Sequence, residues 1–415
     1  MSLFHRALSA LWLVTLIIGC DSTPSPEPQE RTITPIVQNL SGALLSAWST
    51  PDEQMLWFVG GKANESALIA QYDGTRITIH TTIPGPPLWW IWGRTITVNS
   101  TRHLDESEDH GGMNNSGTAD HPLGGMMYIP MNHTGGGTST EGSTPTSNQM
   151  GNYEAWACGA QGRIFHFNGK EWTLEQVELP EDLLDKSILW GIWGNDEGVW
   201  AVGGSDRRGG PKGLLLERGS DHIWRRVSSE LLPMENPDDP IQGYNLFKIW
   251  GNDTHRWLIG EGGFALEWDG ARFSPSSLPD PAKDLLFTLH GDQQGPWAVG
   301  GYSQGVVWKR SKETWTAIDI ERVPPLNGVT VRPTEVVAVG QQGSLLFIQR
   351  AQTSDAQIND KSPYHLQRIN GLETITLHAI TQHQGSLWSV GGDLSDMTKG
   401  AIVSDHQSMP IVEAW

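Results

Sequence analysis

The densest gathering of side chains able to do chemistry lies between Asn99 and Asn152. It holds His103, His110, His121 and His133, the carboxylates Asp105, Glu106, Glu108, Asp109 and Asp120, and the thioethers Met113, Met126, Met127 and Met131. Imidazole with thioether suits copper, and imidazole with carboxylate suits zinc. The spacings match no defined site, however, and the run Gly135-Gly136-Gly137 makes it entropically costly to hold ligands in place. The expectation is therefore no metal and no cofactor, with 99–152 a disordered low-complexity insertion. Elsewhere, Asp196 and Asp253 follow Trp193 and Trp250 by three residues, and Asp292 follows His290 by two. Acids so placed are expected to hold turns by accepting nearby backbone N–H groups. No Walker loop, G-x-S-x-G elbow or cysteine ligand set is present. Paired carboxylates acting as glycosidase acid and base would have to be brought together by the fold, because linear order does not set their separation.

Charge narrows the partners. The 415 residues carry a formal net charge of −19 with only 28 Lys and Arg, and no basic cluster stands out. A phosphate backbone would be repelled, so nucleic acid is not an expected partner. The two cysteines, Cys20 and Cys158, sit in different settings. Met1 to Gly19 has one early cation, Arg6, and then the apolar run from Ala10 to Ile18, a secretory signal too short for a membrane span. Ile17-Ile18-Gly19-Cys20 resembles the lipobox of bacterial lipoproteins. The resemblance implies acylation of Cys20 and a lipid anchor in the cell envelope, facing the periplasm or the cell surface. Residues 20–39 are Pro-rich and read as an extended tether. Cys158 fills a slot held by Val or Ile in the other repeats and is expected to pack as a small apolar residue.

The element that must position any site is a repeat. Aligned on Gly60, Gly159, Gly203, Gly260, Gly300, Gly340 and Gly391, the chain shows seven anchors. Three residues before them stand Trp57, Trp156, Trp200, Trp257, Trp297, Val337 and Trp388, and one residue before them only Val, Ile or Cys158. Positions two apart on a strand share a face, so each anchor ends a strand with one bulky face. Trp48, Trp92, Trp193, Trp250 or His290 leads in on a preceding strand. A third strand such as Ala265–Trp268 follows, then a fourth opened by Ile77, Trp172, Trp224, Phe273 or Trp315. Asp73-Gly74, Asn168-Gly169 and Asp269-Gly270 predict two-residue hairpins with positive φ at both positions.

Four antiparallel strands repeated seven times give an all-β expectation: a seven-bladed β-propeller with four-stranded antiparallel blades over 40–415. The repeat resembles bacterial lipoproteins built of "IWG…VWAVG..G…WDG..W" units, themselves similar to BNR, photosystem assembly factor and WD40-like propellers. That resemblance implies a scaffold and no particular activity, because the repeated residues make the fold. Trp57, Trp156, Trp200, Trp257, Trp297 and Trp388 are accordingly read as repeat core rather than as sugar platforms. Sialidase Ser-x-Asp-x-Gly-x-x-Trp boxes are not intact here. The expected function is a monomeric, membrane-tethered module that binds a protein or glycan; a propeller enzyme of glycosidase or polysaccharide-lyase type is the alternative. The end segments Thr32–Val37 and Pro410–Trp415 are expected to lie together and close the ring.

Overall fold

The computed structural model describes residues 31–96, 152–232, 243–276, 278, 285–311, 314–350 and 364–413. The leader 1–19, Cys20, the first part of the tether and nearly all of 99–152 lie outside those residues. Within them the chain is almost wholly β, with one helical turn at Glu181–Leu184 and short 3-10 turns.

The strands form six hydrogen-bonded sheets. Ala43–Ser49, Leu56–Lys62, Ser66–Tyr72 and Arg76–Pro84 run as an antiparallel meander, and Ile411–Val412 adds to its outer edge in parallel. Meanders beginning at Leu88–Thr95 and at Ile188–Asn195 are joined into one eight-stranded sheet by a short parallel contact, Ile223 to Gln176 and Trp224 to Val177. Further meanders begin at Leu246–Gly251, Leu286–Asp292 and Leu326–Val331. The last sheet combines Thr376–His383, Ser386–Asp393 and Thr398–Ser404 with Thr34–Leu40 from the other end of the chain. The first strand of each meander packs beside the first strand of the next, and Thr376–His383 returns to Ala43–Ser49. The result is a closed ring of strands around a central channel.

Glycine and tryptophan explain each other in this ring. In register, Trp48 opposes Trp57, Trp92 opposes Trp156, Trp193 opposes Trp200 and Trp250 opposes Trp257. The leading Trp of each pair then lies against the glycine of the next inner strand: a Cβ at Gly93 would stand 2.6 Å from the Trp48 ring, at Gly251 2.7 Å from Trp193 and at Gly291 2.7 Å from Trp250. Real Cβ atoms essentially never stand under 3 Å from another heavy atom, so any side chain at these positions would force the ring or backbone to shift. The Trp-Gly dipeptide is thus a wedge and its socket, borne by successive strands. Trp57, Trp156, Trp200, Trp257, Trp297 and Trp388 are all buried. Each anchor glycine has a separate cause, because the inner strand opposite it bulges and its backbone crowds in. A Cβ at Gly203 would meet the Ile188 carbonyl at 2.1 Å, and one at Gly300 the Leu285 carbonyl at 1.9 Å.

Three expectations are corrected. Residues 34–39, assigned to the tether, belong to the strand Thr34–Leu40, whose pairing with Thr398–Ser404 satisfies its backbone groups, so the folded part begins before residue 40. The two chain ends do not pair with each other; each latches onto a sheet formed largely by the opposite end of the chain. The Asx-Gly turns are four-residue connections, since Tyr72 pairs with Ile77, Phe167 with Trp172 and Trp268 with Phe273. Only the glycines take positive φ. The Asx side chain holds the loop, as where Asp73 Oδ1 accepts from the N–H groups of Thr75 at 2.8 Å and Arg76 at 2.7 Å.

Candidate functional site

The inner strands share a second irregularity. In each the register slips by one residue, between Leu44 and Ser46, Leu88 and Trp90, Leu189 and Gly191, Leu246 and Lys248, Leu286 and Thr288, Leu326 and Gly328, and Leu377 and Ala379. A bulge leaves its extra residue unpaired and re-aims its side chain. The skipped residues are Leu45, Trp89, Trp190, Phe247, Phe287, Asn327 and His378, and all line one cavity of about 570 Å³ at one mouth of the channel. Trp190 and Phe247 meet edge to face with centroids 5.4 Å apart, and Phe247 and Phe287 are 6.0 Å apart. One arc of the mouth is therefore apolar and aromatic. The other is polar.

On the polar arc, Asn327 Nδ2 donates to the Leu377 carbonyl at 3.2 Å and His378 Nε2 donates to the Gly392 carbonyl at 3.3 Å. Burial pushes the His378 pKa down to about 4, so the ring is neutral. Asp393 is the carboxylate among the described lining residues. Hydrogen bonds from Ser395 and Lys399 hold its pKa at about 2, which makes it a turn-fixing acid. At the rim, Tyr302 is 86% and Leu394 42% exposed.

The opposite mouth lies at the hairpin ends of the inner strands. Trp48, Trp92, Trp193, Trp250, His290, Thr330 and Thr381 line about 390 Å³ there. His290 Nδ1 accepts from the Val331 N–H at 3.0 Å, and burial lowers its pKa to about 4. Ring closure brings Ser49 Oγ within 2.9 Å of His383 Nδ1. Among the described residues that pair lacks an orienting third group, because His383 Nε2 is buried with no partner among them. Around this mouth, side chains tie successive hairpins together. Arg94 reaches the Asn195 carbonyl, Arg256 pairs with Glu197, and Gln293 donates to Asp253 at 2.8 Å. Arg350 pairs with Asp292 at 2.7 Å, Arg332 donates to the Gly385 carbonyl, and Gln384 to that of Glu53. Asp253 therefore bridges hairpins, and the turn is held one residue earlier by Asn252, which accepts from the Thr254 and His255 N–H groups. Asn195 does the same for Glu197, while Asp292 both holds its turn through Gln294 and bridges.

No protein-family model matches the sequence, and no curated protein is similar to it. Among solved structures the chain is similar to YCF48 from Cyanidioschyzon merolae, with 11% identity and a TM-score of 0.50 over 90% of this chain and 98% of that one. It is also similar to the WD40 β-propeller domain of Doa1, with 8% identity and a TM-score of 0.52 over 92% and 99%. The chain is a β-propeller. At such identities the likeness is one of fold alone, so the site has to be read from its own residues.

Sequence reasoning singled out the repeat tryptophans, which are buried, and missed the bulge residues. A signal was available: Leu-Trp-Trp-Ile-Trp-Gly from Leu88, Leu-Trp-Gly-Ile-Trp-Gly from Leu189 and Leu-Phe-Lys-Ile-Trp-Gly from Leu246 carry an aromatic directly after a leucine. On a regular strand that residue would point away from the channel, so the pattern reads as ordinary alternation unless the bulge is known. Among the described residues, no group of His, Cys, Asp or Glu is arranged to hold a metal.

Proposed function

We propose that this propeller has seven four-stranded blades and is a monomeric, membrane-tethered binding or scaffold module of the bacterial cell envelope, docking a protein partner on the face where the bulge residues open. The blade count follows from dividing the eight-stranded sheet at its two-residue parallel contact and adding Thr34–Leu40 to the last meander. The observation that carries the functional reading is the bulge-built mouth: a wall of Leu45, Trp89, Trp190, Phe247 and Phe287 continuing to the exposed Tyr302 and Leu394. Exposed aromatics at the edge of a pocket are the usual anchors of recognition. A glycosidase or lyase needs converging acids, and the described lining of this mouth offers Asp393, already engaged.

The test is capture from the native envelope on wild-type protein and on a Tyr302→Ser, Leu394→Ser variant. A defined partner lost with the variant is expected; equal capture by both would refute docking on this face. For the anchor, Cys20→Ala should abolish incorporation of a clickable palmitate analogue. Sedimentation velocity on the protein from Asp21 onward should give a single monomeric species.

A further inference from the structure

The aromatic cavity has a lysine in its floor. Lys248 follows the Phe247 bulge on Leu246–Gly251, at the waist between the two mouths, and lines both cavities. Its side chain passes the neighbouring inner strand where that strand carries Gly191, at which a Cβ would stand 3.2 Å from Lys248 Cα. Nζ lies 3.1 Å from the centroid of the Trp90 ring and donates to the Trp190 carbonyl at 2.8 Å. An ammonium offers three donors, so one carbonyl and a ring face leave its charge unanswered.

The surrounding groups do not answer it either. The Cys158 thiol is raised by burial to about 12 and stays protonated, and His378 is neutral. Asp393 at the rim is held by Ser395 and Lys399. Burial accordingly lowers the Lys248 pKa well below its ordinary range. A lysine with no counter-ion among the described residues, beneath a cavity of a size suited to a small molecule, leaves a place for one negative charge.

We propose that this cavity binds a small apolar organic acid, its hydrophobic or aromatic body among Trp89, Trp190, Phe247 and Phe287 and its carboxylate against Lys248 Nζ. The floor is distinct from the rim, so the site stands whether or not a protein docks around it. Burial lowers the Lys248 pKa and a carboxylate against Nζ raises it, so over the pH range between the two, binding takes a proton from solvent onto the amine. Nothing in this step is oxidised or cleaved.

Calorimetry on the whole protein tests it, using straight-chain fatty acids of six to twelve carbons, phenylpropionate and indole acetate, each beside its neutral amide. At least one acid should bind about ten-fold or more tighter than its amide, as a charge-assisted bond inside an apolar pocket gives. Across a series of pH values, apparent enthalpy should vary with buffer ionisation enthalpy in the sense of proton uptake at one or more of them. Lys248→Met, with its melting midpoint compared to wild type, should remove the preference for the acid while the amide still binds. The acid–amide contrast in wild-type protein stands even if that variant fails to fold. Equal binding of acid and amide throughout the series, or tighter binding of the acid without proton uptake at any pH, would overturn the proposal.

Discussion

At the residue scale, the six repeat tryptophans show how one side chain is given different work by its surroundings. Trp57 donates its indole N–H to Tyr153 Oη at 3.2 Å, while Trp156 is stacked on His166 with centroids 4.7 Å apart. Trp200→Ala should cost roughly 3–5 kcal/mol, measured by denaturant unfolding, because a buried ring leaves a void that β-sheets cannot collapse to fill. Beside Trp156 lies a titratable cluster that joins two meanders. His166 meets Glu154 at 3.2 Å and Glu175 at 3.3 Å, and Glu175 also takes Arg218 at 2.6 Å and the Trp224 N–H at 2.8 Å. Burial opposes the Glu175 charge, but hydrogen bonds from His166 and Arg218 outweigh it and bring its pKa down to about 2. A depressed carboxylate stabilises fully above its unfolded value near 4.5 and loses that contribution as pH falls toward 2. For His166 burial again opposes, and the two carboxylates raise its pKa above 6.5. Its contribution is complete below that value and lost as pH rises through the folded one. Glu175→Gln should therefore be destabilising at pH 6 and flatten the acid limb of a melting-versus-pH curve; an unchanged acid limb would show that the cluster is not coupled to folding.

At the element scale, the decisive unit is the inner strand, which carries wedge, socket and bulge within a few residues. Gly251→Ala puts a methyl group into the Trp193 ring and should cost about 1–3 kcal/mol by overpacking, seen as a lowered melting midpoint with the same baseline circular dichroism. Spacing made the repeated tryptophans legible as core, but the contact of each leading Trp with the glycine of the next strand came from the structure. The bulge was not legible, since a one-residue slip changes where Trp190 and Phe247 point without changing the letters. The segment 97–151 leaves and re-enters the propeller at neighbouring points, where the Ile96 N–H bonds the Asn152 carbonyl at 2.8 Å. Replacing it with a short Asn-Gly loop should leave melting nearly unchanged, whereas a large loss would show that the insertion supports the ring.

At the scale of the molecule, stability rests on closure, and the two latches are unequal. Thr34–Leu40 pairs along its length with Thr398–Ser404, while Ile411 and Val412 make a two-residue contact with Arg76 and Ile77. Removing residues 31–40 should lower the melting midpoint far more than ending the chain at residue 409, because only the former strips a whole edge strand and exposes Ile402 and Ala401. The repeat by itself determined that the chain is all-β, where its glycines and tryptophans stand and that they form core, because packing periodicity is written into residue spacing. Only the tertiary structure decided which ends latch where, that Ser49 meets His383, and that bulged aromatics from distant strands surround Lys248. Those contacts join residues tens to hundreds of positions apart, and no local spacing encodes how a ring brings them together.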